Sequence, residues 1–330
     1  MPATQFDVIG LGNAIVDVLA HADDVFLKEQ GLSKGAMTLI DADTAENLYE
    51  KMNPAVECSG GSAANTIAGL ASLGGKGAFI GKVKKDQLGD IFRHDIRSLG
   101  IDFESAPLFE GPSTARCLVF VTPDAQRTLQ TFLGASVEFH PSDIDAEKIK
   151  ASKVTYLEGY LWDPPAAKEA FLKAASIAHD NNGLVSLSLS DPFCVDRHRA
   201  DFQDLVKGHV DILFANEEEI MSLYEVTTFD EALKIAREQC DVAALTRSEK
   251  GSVIVANSKV HVLDAEPIDK VIDTTGAGDA FAAGFLYGYT HDMGLEMAGR
   301  IGGIAAAEVI SHFGARPETP LKDLVVEKLG

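Results

Sequence analysis

The sequence predicts an α/β fold: a mostly parallel sheet flanked by helices, with a small β-sheet lid projecting from it. Three observations carry this. Apolar strand-like runs recur along the chain, helical patterns with apolar residues at three and four spacing lie between most of them, and two stretches, 13 to 40 and 107 to 133, break the alternation. Strand then helix, repeated, implies right-handed crossovers and a sheet covered on both faces.

In chain order, "FDVIGLG" (6 to 12) reads as the first strand of the body. Residues 13 to 22 and 36 to 40 are expected to add strands to the lid, followed by a helix in "TAENLYEKM". A small-residue helix follows in "SGGSAANTIAGLASLGG" (59 to 75), then the strand "GAFIGKV" (77 to 83) and the helix "DQLGDIFRHDIRSLG". The stretch "PLFEGPSTARCLVFVTPDAQRTLQTFLGA" predicts two β arms, Ala115 to Thr122 and Thr128 to Leu133, around the turn "TPDAQR". Strands resume in "KVTYLEGYL" (153 to 161), "LVSLSLS" (184 to 190), "DILFAN" (211 to 216) and "VAALTR" (242 to 247), with helices in "AAKEAFLKAASIAHDNNG" and "FDEALKIAREQC". The body is therefore assigned to 1–12, 41–106 and 134–330, and the lid to 13–40 and 107–133.

Composition narrows the function. The chain has 330 residues, 46% of them hydrophobic, ample for a sizeable core. Fifty acidic against 29 basic side chains give a formal charge of -21, which opposes contact with nucleic acid or anionic lipid, so a phosphate ligand must be held by local dipoles or a few placed cations. The four cysteines are far apart without CxxC spacing, which points away from a zinc cluster or a disulfide framework. The start "MPATQFDVIG" lacks the basic and apolar blocks of a signal peptide, and "GRIGGIAAAEVISHFG" is interrupted by Arg300, Glu308 and His312. A cytoplasmic protein with no membrane span is the expectation. The histidines show no HxxxH spacing.

The stretch with the most chemistry is "DTTGAGDAF", 273 to 281, which runs into the apolar "AFAAGFLYGYT". Gly276, Ala277 and Gly278 leave backbone N–H groups unobstructed at the N-terminus of a buried helix, where the dipole favours an anion, and Asp279 in the first turn can act as a base beside it. Taken alone, the run reads equally well as a turn with a capping acid. Two other phosphate loops fail. "GLASLGGKG" has Gly77 where a P-loop needs a hydroxyl, and "GLGNAI" has Ile15 where the dinucleotide fingerprint needs its third glycine.

Further pieces are individually weaker. Gly60 and Gly61 permit close approach of a ligand and Asn65 lies about one turn into the helix that follows, although small residues there also serve tight packing. Asn13 and Asp17 follow a buried strand, where an acid can hold two vicinal hydroxyls or simply sit in a turn. "NEEE", Asn216 to Glu219, offers oxygens at a strand end for a hydrated Mg2+, or a plain acidic helix start. "TRSEKGS", with Thr246, Arg247, Ser248 and Gly251, offers hydroxyls and backbone donors to phosphates.

The order of these pieces resembles the PfkB (ribokinase-like) family of carbohydrate and nucleoside kinases over nearly the full length. "GGSAAN" and "DTTGAGDAFAAGF" look like its two signatures, "NEEE" matches its NxxE motif at Asn216 and Glu219, and "GNAIVD", "LSLSDPF", "DILFANEEE" and "FGARPETP" look most like the adenosine kinases within it. The resemblance implies a Rossmann-like body with a β lid, ATP and Mg2+ as cofactors with K+ as a candidate, and phosphorylation of a nucleoside 5'-hydroxyl, adenosine to AMP in purine salvage. It implies Asp279 as base, Gly276 to Gly278 as anion hole and Arg127 as a lid arginine neutralising phosphate charge. Asp17 would hold the ribose hydroxyls with Gly60, Gly61, Ser62 and Asn65 beside it, and Asn13, Met37, Tyr160 and Leu161 would border the nucleoside.

The stretch Thr246 to Gly251, with Thr275, would lie along ATP, Asn216 and Glu219 would organise Mg2+ through water, and backbone around Asp273 and Thr275 would form half of a monovalent cation site. Glu318 departs from the serine found there in ribokinases, and Leu161 from an aromatic ring. A kinase for ribose, fructose or a related sugar, a guanosine or inosine kinase, and a non-catalytic nucleotide-binding module are the alternatives. Nucleoside or sugar and ATP would be the only partners of a monomer or homodimer.

Overall fold

Two sheets organise the chain in the computed structural model, which describes residues 4–124, 126–256 and 259–330. The strands are β1 (Phe6–Leu11), β2 (Ile15–His21), β3 (Met37–Leu39), β4 (Val56–Gly60), β5 (Gly77–Ile80), β6 (Ala115–Val121) and β7 (Arg127–Phe132). They continue as β8 (Ser152–Glu158), β9 (Leu184–Ser188), β10 (Ile212–Asn216), β11 (Val242–Thr246), β12 (Ser252–Ala256) and β13 (Lys259–Leu263). The large sheet has the order β13-β12-β11-β10-β9-β8-β1-β5, and the small one β3-β7-β6-β2-β4.

From β5 to β11 every pairing in the large sheet is parallel, as the strand–helix alternation requires. β1 is buried along its whole length, the mark of a central parallel strand with helices on both faces. Its side chains divide by period two. Val8 joins Ile67, Phe79, Phe281 and Phe285 beneath the Ser62–Ser72 and Ala277–Thr290 helices, while Ile9 and Leu11 join Phe171 and Phe202 beneath the Pro165–Asp180 and Pro192–Gly208 helices.

β12 and β13 extend the sheet as an antiparallel hairpin beyond β11; no strand was expected there, because the expectation followed strand–helix alternation, and the apolar run "SVIVA" comes after β11 with no α-helix between them. Among the described residues, no helix is long and apolar enough to cross a membrane.

The small sheet includes the two expected arms, β6 and β7, paired antiparallel. Residue 125 of their connecting turn lies outside the described residues. β2 and β3 join them from the 13 to 40 region. β4 departs from the expected boundaries, since 41 to 106 was assigned to the body, yet Val56–Gly60 pairs with β2. The reason is that "VECSG" carries little apolar alternation of its own; its place is set by non-local backbone pairing with β2, which a local pattern does not report.

Each strand of this sheet presents two faces. Val16, Val18, Leu118 and Phe120 pack inward with Leu48 of the Ala42–Lys51 helix. Ile15, Asp17, Leu19, Cys117, Val119 and Leu129 point the other way, into the space between the sheets.

Candidate active site

The small sheet faces the carboxyl ends of β1, β8, β10 and β11, where open α/β sheets bind ligands. Between them lies a cavity of about 1070 Å³, wide enough for two small substrates by the usual range for ligand pockets. Asn13, Asp17, Met37, Gly61, Ser62, Asn65, Arg127, Tyr160, Asn216, Glu219, Thr246, Thr275 and the run Gly276 to Asp279 all line it. The remaining predicted residues do not.

The turn before the last long apolar helix is built from Asp273. Its Oδ1 accepts from the N–H and hydroxyl of Thr275, and its Oδ2 accepts from the N–H of Gly314 and pairs with Arg127 at 2.8 Å. Gly276 then adopts φ 77°, and a Cβ there would stand 2.7 Å from the Ala315 Cα, so both backbone sign and space require glycine. At Gly278 a Cβ would meet nothing within 4 Å; the bare position keeps open the space in front of the helix. No side chain caps that helix, which leaves its first N–H groups and the positive dipole end facing the cavity.

Asp279 sits at the same helix start. Ser62 Oγ donates to its Oδ1 at 2.6 Å and Asn65 Nδ2 approaches its Oδ2 at 3.4 Å. Burial pushes its carboxyl up to about 6, and the two donors pull back against that rise.

On the lid side, Asp17 stands in a row with Cys58 of β4 and Cys117 of β6 in direct register. Burial raises the Asp17 carboxyl to about 6, opposed by the charges of Arg316 and Arg127 and reinforced by that of Asp279. The thiols on either side are pushed up by burial to about 11 for Cys58 and about 12 for Cys117, so both are neutral neighbours. Gly60 does not line the cavity but makes room for it: a Cβ would fall 2.4 Å from an Asp17 oxygen. Gly61 has φ 97°, and its Cβ would be 2.2 Å from the Asn13 carbonyl oxygen.

Asn13 is 2% exposed and its Nδ2 donates to Glu158 at 2.7 Å, leaving Oδ1 buried without a partner at the cavity wall. Met37 is half-exposed on the lid. Leu161 is not a wall residue; it is 1% exposed in the core with Trp162, because the 3-10 turn Gly159–Trp162 sends Tyr160 outward instead.

On the far side, Asn216 and Glu219 form a reciprocal capping box for the Glu217–Tyr224 helix. Glu219 accepts from both nitrogens of Asn216, at 2.9 and 2.6 Å, and burial raises its carboxyl to about 7. Among the described residues no group of three His, Cys, Asp or Glu is placed to hold a metal, so any divalent ion there must take most of its ligands from water and phosphate.

Thr246 ends β11 at the cavity, but Arg247 turns away into a two-point pair with Glu217 and lies 4.0 Å from the Phe229 ring centroid. Ser248 and Gly251 lie in the tight β11–β12 connection, where a Gly251 Cβ would be 2.0 Å from the Leu263 carbonyl; that glycine answers to the turn. The Asp273 side chain is fully occupied by its four donors, which leaves only main-chain carbonyls there for a cation.

Among the wall residues that escaped the sequence reading are Arg316, Asp95 and Glu158. Glu158, 1% exposed, accepts from the Asn13 and Ala63 main-chain N–H groups as well as the Asn13 side chain, and burial lifts it to about 7. It is an acid at the end of "KVTYLE", a strand whose last five residues are all buried, and an acid in that place is a visible signal. Asp95 is one acid among several on an amphipathic helix and carries none.

Residues 36 to 322 match the family model described as pfkB family carbohydrate kinase. The chain is similar to a solved structure of a probable sugar kinase from Rhizobium etli CFN 42, with 51% identity and a TM-score of 0.92 over 98% of this chain and 99% of that one. It is equally similar, at 51% identity and a TM-score of 0.90 with the same coverage, to the adenosine kinase from Sinorhizobium meliloti. Adenosine kinase 1 of Arabidopsis thaliana is 26% identical, across 97% of this chain and 99% of the relative. The uncapped glycine turn, its aspartate and these matches together place the chain in the pfkB family of carbohydrate kinases, as an ATP-dependent phosphotransferase.

Proposed function

We propose that the acceptor is a nucleoside, adenosine foremost, phosphorylated on its 5'-hydroxyl. The observation that carries this is the arrangement of two carboxylates in one cavity, Asp279 at the helix start and Asp17 on a lid face whose neighbours include the apolar Ile15, Leu19, Val119 and Leu129. Asp17 suits a vicinal diol, and the apolar surface around it suits a flat base rather than a bare sugar. The adenosine kinase from Sinorhizobium meliloti supports the same choice.

In this reading Asp17 and Asn65 hold the ribose, Asn13 offers its buried Oδ1 to a donor on the acceptor, and Asp279 takes the hydroxyl proton as oxygen attacks. The N–H groups at Gly276 to Gly278 receive the negative charge that develops, and Arg127, with two buried nitrogens still unpartnered, adds a cation from the lid. When bound, ATP with Mg2+ supplies the phosphoryl group and the neutralisation of its oxygens; Asn216 and Glu219 would hold the ion through water, and main-chain carbonyls near Asp273 and Thr275 would hold K+. The lid excludes water from the transfer. A panel of nucleosides and sugars compared by kcat/KM tests the assignment, with adenosine expected first; a free hexose or ribose exceeding every nucleoside overturns it.

The pH dependence follows from the raised carboxyls. Asp279 must be ionised to accept a proton, so kcat/KM for the acceptor, which reports the free enzyme, is expected to fall at least about tenfold per pH unit below about 6. Asp17 must be ionised too to hold the diol, so that limb should steepen toward about a hundredfold per unit. Initial rates from pH 5 to 9 read it; a kcat/KM flat down to pH 5 removes Asp279 as the base.

A further inference from the structure

We infer that Arg316 is a positioning residue for the transfer, a two-point bridge that orients Asn65 toward Asp279 and ties both to the lid. The inference rests on the reading of Asp279 as the base. Arg316 lies in the turn 313 to 319 after the Leu295–Val309 helix. That turn is anchored from behind, because the buried Glu308 accepts from the N–H groups of Glu318 and Thr319 at 3.1 and 2.7 Å.

From there Arg316 Nε donates to Asn65 Oδ1 at 3.2 Å, and Nη1 donates to Asp95 Oδ2 at 3.1 Å. The same Asp95 oxygen accepts from the N–H and hydroxyl of Ser59 in β4, at 2.8 and 2.5 Å. A continuous path therefore runs from a lid strand through Asp95, Arg316 and Asn65 to Asp279.

The direction of each bond makes the arrangement unique. A guanidinium can only donate and an ionised carboxylate can only accept. With Arg316 on one side of the Asn65 amide and Asp279 on the other, the oxygen must face the arginine and the NH2 must face the aspartate. Without Arg316 the amide keeps only its long contact to Asp279 and is free to rotate out of line with it. The single geometry needs a fork with two donors in a fixed plane, which lysine lacks. Arg316 Nη2 remains buried and unpartnered at the cavity wall.

The test is a double-mutant cycle on the full chain with R316Q, R316K, N65A and the double variant N65A/R316Q, read by kcat, by KM for ATP and for adenosine, and by thermal melting. R316Q is expected to lower kcat about tenfold to a hundredfold, the scale of a small misplacement at a reacting centre, with the KM for ATP within about twofold. R316K should stay at least about fivefold down, and N65A/R316Q should be no slower than N65A alone, since both remove the same contact.

Near-normal kcat in R316K overturns the bridge in favour of charge alone, and losses that multiply in the double variant show that Arg316 does not act through Asn65. D279N, measured alongside, keeps the two readings apart: a large loss there with normal rates in R316Q rejects the bridge while leaving the base in place, whereas near-normal D279N rejects the base itself.

Discussion

Asp279→Asn is expected to cut kcat by about a hundredfold to ten-thousandfold, the range for removing a general base, while the KM for the acceptor changes by less than about threefold. The substitution keeps volume and shape and removes only the ability to take a proton. It also sets an NH2 against donors, since Ser62 Oγ and Asn65 Nδ2 both point at this carboxylate. Stability separates loss of chemistry from loss of fold. The Asp279 carboxyl titrates near 6 in the folded chain against an ordinary 3.8, so the folded state holds its proton more tightly, and wild-type stability drains as pH rises from about 4 through about 6. The asparagine variant lacks that loss and should melt no lower than wild type at pH 8. A variant that melts normally and turns over at more than a third of the wild-type rate would falsify the assignment.

Much of this site is legible because its pieces are local. The run from Gly276 to Asp279 is contiguous, its glycines follow from φ 77° at Gly276 and from the open space at Gly278, and the apolar helix behind it announces burial. Asn65 and Gly61 lie at the start of a helix that follows a glycine pair, positions that a one-dimensional pattern marks, and Asp17 is an acid inside the short strand that follows β1. The capping box of Asn216 and Glu219 is equally local, and there the structure shows that a helix start and a cavity wall are the same residues.

What the sequence hides is whatever depends on distant partners. β4 has no alternation to reveal it and exists as a strand through β2, some forty residues earlier in the chain. Arg316 reaches Asn65 and Asp95 across more than two hundred residues, and nothing in "FGARPETP" distinguishes a buried fork from a surface arginine. Arg247 shows the converse. Its strand-end position suggested a phosphate contact, but Glu217 and Phe229 take both its charge and its face. A residue type at a strand end indicates where a side chain begins and leaves open which neighbour will claim its far end.

Asp17→Ala is expected to act on binding instead. Each hydrogen bond from a ribose hydroxyl to an ionised carboxylate contributes about 1.5–3 kcal/mol, so losing two should raise the KM for adenosine about a hundredfold to ten-thousandfold, while kcat at saturation falls far less. The neighbourhood explains why the loss is not refilled. Cys58 and Cys117 on either side are neutral thiols, poor acceptors for a hydroxyl, and Gly60, which leaves space for the carboxylate, adds no group of its own. Arg127 and Arg316, whose charges hold Asp17 toward its ionised form, would be left without that counter-charge. Adenosine and 2'-deoxyadenosine, measured on both proteins, isolate the contact. Wild type should prefer the ribonucleoside by about tenfold or more in kcat/KM and the variant should lose most of that preference, because the hydroxyl then has nothing to meet. Equal preference in the two proteins would mean that Asp17 faces the cavity without touching the diol, and the acceptor would have to lie in another orientation beneath the lid.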